Sequence, residues 1–376
     1  MKIFFGADIA PTKSNIDLFC KNRIDELIGE ETREKLDTCD YRVFNLETPI
    51  CNNISPIYKC GPNHRTPVDA IKGLIGLKCD LLTLANNHIL DQGTLGIEET
   101  TDLLTQNSIS WVGAKSKDTI QNTHVFEKDG VRVGIYACTE HEFSIYTEKT
   151  SGAIPYDPLD SFDVVEALNA KCDYVVVLFH GGKEYYRYPS PNCQKIARRF
   201  IDKGASLILF QHSHCIGCME KYQNGYAIYG QGNFLFDSDD GEFGYTSIGV
   251  IADFAVHKIN IEIVPLLNNM GISRMAKGSD SSRIISEFDA RSKYIMDSEF
   301  VEKNYLHFSM KKAGEYLVAY SGNNFVLRVL RKIFGDQCII HLYSRKNLLR
   351  MKNFIDCESH SELFKSVLST ILEERE

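Results

Sequence analysis

The feature that most constrains the fold is an apolar run that ends abruptly in polar residues and recurs along the chain. Its central example spans residues 80–93, where residues 81–85 are apolar and residues 86–88 read Asn-Asn-His. An apolar run of this length predicts a buried strand. The helical pattern that opens at Thr94 places the polar residues between a strand and a helix, where open α/β sheets bind their ligands. A single junction of this kind is equally typical of an ordinary polar turn.

The same pattern recurs at four other places, each time with side chains that bind metals. Predicted strands at residues 2–5, 41–44, 174–179 and 206–210 are followed by Asp8, Glu47, His180 and the pair His212 and His214, respectively. Carboxylates and imidazoles together form the mixed oxygen and nitrogen ligand set of divalent metals. One histidine at a strand end usually makes a hydrogen bond in the core, whereas five strand ends of this composition predict a metal site at the edge of a sheet.

Longer motifs surround these strand ends and occur in order between Lys2 and Pro265. They read Asn45-Leu46-Glu47-Thr48-Pro49, Ala85-Asn86-Asn87-His88-x-x-Asp91-x-Gly93, Trp111-Val112-Gly113-Ala114, His180-x-Gly182-x-Glu184, His212-x-His214 and Tyr229-x-x-Gly232-Asn233-Phe234-x-Phe236-Asp237. In these motifs the sequence resembles the CapA family of capsule and poly-γ-glutamate biosynthesis proteins. The motifs are long and specific, so chance is a poor explanation of the match.

The resemblance implies a fold class, an α/β four-layer α/β/β/α sandwich of the calcineurin-like metallophosphoesterase type with a helical C-terminal extension. The order of elements agrees with it, since βα units come first and adjacent strands follow at residues 247–254 and 258–264. Those two strands are expected to pair antiparallel. We therefore expect a CapA-like metallophosphoesterase domain at residues 1–267 and a helical region at residues 268–376, with residues 268–282 as a linker.

By the same resemblance, two divalent cations (Mn, Fe, Zn or Mg) would lie between six ligands. In metallophosphoesterases such cations activate the attacking water and neutralise the phosphoryl oxygens. Glu47 would bridge the two cations, because a carboxylate offers one oxygen to each. The six expected ligands are Asp8, Glu47, Asn87, His180, His212 and His214.

Four further residues have expected roles beside the metals. His88 would be a general acid or a donor to the developing oxyanion, and Asp91 would hold its imidazole in one tautomer. Glu184 and Asn233 would line the substrate pocket or orient a ligand. For Glu184 a structural hydrogen bond is an equal alternative.

The sequence also departs from ordinary metallophosphoesterases. They begin with Asp-x-His, whereas Ile9 and Ala10 follow Asp8 here, and they carry Asp where this chain has Glu47. The first metal position therefore has one imidazole fewer, which a water or another side chain would have to replace. The CapA family shares both departures, so they support the resemblance and leave catalysis unproved.

Charge is distributed unevenly along the chain. The net charge is −8, yet residues 303–352 contain ten Lys and Arg and only two acids. Helical spacing from Asn324 puts Val326, Leu330, Ile333 and Phe334 on one stripe, flanked by basic residues. Such a helix can lie on an anionic membrane, but a solvated charged face, or a stripe buried against the sandwich, is the commoner outcome for such a pattern.

Two functions remain open from the sequence. The first is a metal-dependent hydrolase that acts on a surface polymer or its precursor. The second is a non-catalytic, polymer-binding accessory subunit of a capsule synthesis or export complex. A nucleic-acid enzyme is disfavoured, because phosphate backbones are bound chiefly through Lys and Arg and the chain is acidic overall.

The sequence also indicates a cytoplasmic protein. It has no apolar run of about 18 residues for a transmembrane helix, no room for a signal peptide before Asp8, and twelve scattered cysteines that fit a reducing compartment. Peripheral contact with the inner face of the membrane would come from the basic C-terminal region.

Overall fold

The computed structural model describes residues 1–237, 241–256, 258–373 and 375, and their contacts divide the chain into two units, Met1–Glu302 and Lys303–Glu376. The strands are β1 Lys2–Ala10, β2 Tyr41–Leu46, β3 Leu81–Thr83, β4 Ser110–Val112, β5 Ala114–Ser116, β6 Thr119–Gln121, β7 Thr123–Lys128, β8 Val131–Thr139, β9 Gly152–Ala153, β10 Tyr174–His180, β11 Leu207–Gln211, β12 Met219–Tyr222, β13 Gly225–Tyr229, β14 Asn233–Phe236, β15 Thr246–Ala255, β16 Lys258–Asn269 and β17 Ile272–Met275. The helices are α1 Ile16–Cys20, α2 Ile24–Ile28, α3 Glu30–Asp37, α4 Ile71–Gly76, α5 Gly93–Gln106, α6 Ser161–Asn169, α7 Pro191–Asp202, α8 Gly278–Tyr294, α9 Ser298–Tyr320, α10 Phe325–Phe334, α11 Asp336–Leu342, α12 Arg345–Asp356 and α13 Glu358–Glu373.

Two large sheets form the centre of the first unit. The first sheet has the order β17-β16-β15-β1-β2-β3-β4, with β14 also paired to β1. The second sheet has the order β12-β13-β11-β10-β8-β7. Neighbours among β1 to β4 are parallel, as are those among β8, β10, β11 and β13, so each set directs its carboxyl ends to one edge. A small third sheet has the order β6-β5-β9.

Alternating side chains on the strands bury both faces of each sheet. On β1, Phe4 packs with the apolar faces of α1 to α5, whereas the next residue, Phe5, packs between the two sheets. On the second sheet, Val176 also faces the space between the sheets, and Val177 packs with α6 and α7. The result is a four-layer α/β/β/α sandwich, which confirms the predicted fold class.

The strands after residue 245 complete the first sheet. β15 and β16 pair antiparallel over their whole length, as predicted. The prediction of a linker at residues 268–282 is wrong, because Met270 and Gly271 both have positive φ and make a two-residue turn into β17. The same stretch also contains the start of α8. The predicted domain boundary after residue 267 stays a prediction.

The second unit contains the helices α10 to α13, and this confirms the predicted helical C-terminal region. α10 begins at an Asn324 cap whose side chain accepts a hydrogen bond from the amide of Val326. Within the described residues, no helix has both the length and the apolar character to cross a bilayer.

Candidate metal centre

Polar side chains from both sheets meet beyond the carboxyl ends of the parallel strands. Asp8 lies in β1 and Glu47 directly follows β2. In the second sheet, His180 is the last residue of β10, and the loop after β11 carries His212 and His214. This arrangement follows from the topology, since parallel strands place their carboxyl ends at the same edge of a sheet.

His180 lies at the centre of the cluster. Its Nε2 is 3.1 Å from Asn87 Oδ1, 3.5 Å from Glu47 Oε1 and 3.2 Å from His212 Nδ1. A further pair, Asp8 Oδ2 and His214 Nδ1, is 3.7 Å apart. The structure thus brings together all six residues that the sequence predicted as ligands.

Three overlapping groups of side chains have the spacing of a metal site. Within each group, one candidate ligand atom per residue lies within 4.8 Å of the others. Two groups consist only of predicted ligands, and the third includes Glu184, which the sequence placed in the substrate pocket. The groups are Asp8, Glu47 and His214; Glu47, His180 and His212; and Glu184, His212 and His214.

The two buried carboxylates fit divalent cations. Asp8 is 1% exposed and Glu47 is fully buried. Asp8 Oδ2 and both carboxylate oxygens of Glu47 make no hydrogen bond within the described part of the chain. Leaving buried charge without a partner costs several kcal/mol. A cation bound between these oxygens and the neighbouring imidazole nitrogens would supply that partner.

Burial sets the protonation of the metal-free cluster. Burial, and after it the charge of Glu47, raises the pKa of Asp8 to about 7. Burial also raises the pKa of Glu47, lowers the pKa of His180 to about 4 and lowers the pKa of His212 well below its ordinary value. His180 and His212 are therefore neutral, which is the form that binds metals.

Buried amides hold the candidate ligands in place. Asn45 Nδ2 donates to Asp8 Oδ1 (2.8 Å) and lies 3.3 Å from His180 Nδ1. Asn86 Nδ2 in turn donates to Asn45 Oδ1 (3.0 Å). Asn233 Oδ1 lies 2.8 Å from His214 Nδ1, and its predicted part in the substrate pocket stays a prediction. The motifs contain Asn45 and Asn86, but nothing in their local pattern indicates this network.

A second polar cluster surrounds His88. His88 Nδ1 lies 2.7 Å from Asp91 Oδ2, the partner that the sequence predicted. Lys59 forms an ion pair with Asp91 Oδ1 and its Nζ lies 3.2 Å from His88 Nδ1. The backbone amide of His64 donates to Asp91 Oδ2 (2.6 Å). The Lys59 side chain is only 3% exposed, so this ion pair is buried.

Sequence comparison relates this chain to proteins of capsule synthesis. Residues 2–238 match the family described as bacterial capsule synthesis protein PGA_cap. The PGA biosynthesis protein CapA of Bacillus subtilis is 28% identical over 205 residues, 53% of this chain and 53% of that protein. The capsule biosynthesis protein CapA of Bacillus anthracis is 28% identical over 217 residues, 54% of this chain and 52% of that protein. The match thus spans about half the length of these relatives.

Comparison of structures gives more distant similarities. A novel phosphatase from Mycoplasma pneumoniae is 15% identical, with 76% of this chain and 96% of that chain covered and a TM-score of 0.46. A similarity at this level does not identify an activity, because one fold hosts many chemistries.

Proposed function

Since this chain belongs to the bacterial capsule synthesis protein family PGA_cap, we propose that it is a metal-dependent hydrolase acting in the biosynthesis of a capsule, of poly-γ-glutamate or of another surface polymer. The observation that carries the proposal is the burial of Asp8 and Glu47 among three histidines, where three of their four carboxylate oxygens make no hydrogen bond to any residue that the structure describes. A site of this composition is costly in a protein that does not bind cations.

The proposed metal ligands are the six residues of the cluster around His180. Bound divalent cations would supply a reactive nucleophile at neutral pH and would neutralise charge on the substrate. The amide of Asn45 would hold Asp8 in place and is itself held by Asn86, and Asn233 would orient the imidazole of His214.

His88 is the proposed general acid. Asp91 Oδ2 lies against its Nδ1, so Nε2 is the ring nitrogen left to face a substrate. The ion pair with Lys59 and the amide of His64 fix the Asp91 carboxylate, and this in turn fixes the orientation of the imidazole.

The second candidate is a non-catalytic accessory subunit that binds the polymer through the same site. What favours it is the first strand, where Ile9 and Ala10 are buried apolar residues and supply no second ligand after Asp8. A metal position with fewer protein ligands would still bind anionic groups of a polymer.

We further propose that the second unit contacts an anionic membrane surface from the cytoplasmic side. Phe325, Val326, Ile333 and Phe334 of α10 are all more than half exposed, and Arg328 and Lys332 lie beside them. An exposed apolar stripe with flanking basic residues is the composition of helices that lie in a membrane interface.

A panel of substrates tests the hydrolase directly. The full chain, loaded with Mn²⁺ or Zn²⁺, is assayed against phosphodiesters, phosphomonoesters and γ-glutamyl peptides, with Glu47→Gln as the matched control. The hydrolase predicts turnover of one class that disappears in Glu47→Gln. Polymer binding without turnover of any class would favour the accessory subunit.

A further inference from the structure

Glu184 lies at the metal cluster although it does not end a strand. It follows β10 by four residues, and its carboxylate groups with the imidazoles of His212 and His214. His214 also belongs to the group with Asp8 and Glu47, and His212 also belongs to the group with Glu47 and His180. The group of Glu184 therefore shares one imidazole with each of the other two groups. The sequence predicted that Glu184 lines the pocket or orients a ligand, with a structural hydrogen bond as an equal alternative.

Backbone hydrogen bonds hold the loop of Glu184 against the loop of the two histidines. The amide of Gly181 donates to Gln211 O (3.1 Å), and the amide of Tyr185 donates to Ser213 O (2.8 Å). Gly182 has a φ of +100°, which a residue with a side chain rarely adopts. The position of Glu184 is therefore set by the main chain on both sides of it.

The backbone of the facing loop is constrained as well. His212 and His214 both adopt positive φ, at 86° and 51°. Such conformations are unfavourable for residues other than glycine and cluster at functional sites. The loop after β11 thus keeps both imidazoles beside Glu184 at a cost in backbone energy.

We propose that Glu184 is a seventh protein ligand of the metal centre and binds a divalent cation together with His214. The proposal rests on the metal site of the proposed function. A ligand at Glu184 would compensate for the first strand, β1, where Asp8 is followed by apolar residues and is the one candidate ligand of that strand. With Asp8, Glu47 and Asn87, Glu184 makes four oxygen donors, a composition that suits Mn²⁺ better than a nitrogen-rich set does.

Metal titration of three proteins tests this assignment. Metal-free wild type, Glu184→Gln and Glu142→Gln are each titrated with Mn²⁺, followed by the electron paramagnetic resonance signal of the free ion, and separately with Zn²⁺ by calorimetry. Glu142 is the matched control, because its Oε1 lies 3.8 Å from His212 Nε2 but it belongs to none of the three groups.

Glu184→Gln is expected to weaken the binding of one Mn²⁺ by at least about tenfold, and to weaken Zn²⁺ less. Glu142→Gln should leave both affinities within about twofold of wild type, as expected for a screened surface charge. Gln has the shape of Glu and Glu184 is half-exposed, so both variants should fold, and circular dichroism checks this.

Two results would overturn the assignment. Unchanged Mn²⁺ binding in Glu184→Gln would show that Glu184 is not a ligand. Equal losses of Mn²⁺ affinity in Glu184→Gln and Glu142→Gln would show that Glu184 acts only through its negative charge near the imidazoles. Neither readout requires turnover. If wild type binds neither metal, the metal site of the proposed function fails together with this inference.

Discussion

Near the carboxyl ends of β1 and β2 the structure buries two carboxylates, whereas α10 of the second unit exposes apolar side chains. Asp8 and Glu47 are almost fully buried, while Phe325 is 71% exposed and Ile333 is 65% exposed. A buried carboxylate costs free energy unless a cation binds it. An exposed apolar stripe is likewise unfavourable in water unless it binds an apolar surface. The two regions thus indicate two different partners, and each can be tested without the other.

The largest expected effects separate the proposed metal ligands from the proposed general acid. His212→Ala should lose bound metal and activity together, since its imidazole belongs to two of the three candidate groups. His88→Ala should keep its metal and lose turnover by about 10²–10⁴-fold, the usual contribution of a general acid. Metal analysis and steady-state kinetics on the same preparations check both. Equal metal loss in the two variants would mean that these roles are misassigned.

The second prediction tests the exposed helix alone. Wild type should co-sediment with anionic vesicles at low salt, where screening is weakest, and bind neutral vesicles less. Replacing both Arg328 and Lys332 with Gln should weaken binding by about 2 kcal/mol, since each basic residue near an anionic surface contributes about 1 kcal/mol.

The matched control for the vesicle assay removes two exposed lysines of the first unit, Lys21 and Lys117. That variant should bind as wild type does. Co-sedimentation that is absent even with anionic vesicles, or that falls equally in both variants, would rule out a membrane partner for α10.

The third prediction concerns the charge buried beside His88. Lys59→Met leaves Asp91 without its ion pair, so stability should fall by about 3–5 kcal/mol. Below its melting temperature the variant should keep its metal. Its turnover should be about 10–100-fold slower, because Asp91 would no longer be fixed where it orients His88. Lys149→Met, at an exposed lysine, is the control. Wild-type stability in Lys59→Met would contradict the buried ion pair.

The fourth prediction is a pH dependence of the stability of the protein stripped of metal. The pKa of Asp8 is about 7 in the folded protein and 3.8 in the unfolded chain. Between these values the unfolded state releases a proton that the folded state retains, so the contribution of Asp8 to stability falls as pH rises from about 4 to about 7. The lowered pKa values of His180 and His212 act in the opposite sense, so the contribution of Asp8 is measured as the difference in urea stability between wild type and Asp8→Asn. That difference should shift against wild type as pH rises, and a difference that stays constant across this range would contradict the raised pKa of Asp8.

Much of the site was predictable because its ligands interrupt apolar runs. A strand that ends in Glu47 or His180 is visible in the local sequence, and the shared edge follows from parallel topology. Lys59 was not predictable, since it lies in a loop without periodicity and its partner Asp91 is 32 residues away. Glu184 was visible in a motif, but its proximity to His212 depends on hydrogen bonds between two loops.

The fold, too, was predictable from local sequence only in part. The long strands were predicted from their apolar patterns, and the packing of neighbours lengthened them, as in β1, which continues through Ala10 between β2 and β14. The strands β4, β5 and β6 have only three residues each. Such segments are too short to show a period, so pairing rather than local sequence defines them.

The most direct test of the account is the metal content of the protein itself. Wild type and Glu47→Gln are stripped of metal, reconstituted with Mn²⁺, dialysed and analysed by mass spectrometry of the elements. The account predicts about two Mn²⁺ per wild-type chain, the number expected for a paired-cation hydrolase, and at least one fewer in Glu47→Gln. Wild type that retains no more metal than Glu47→Gln would contradict it.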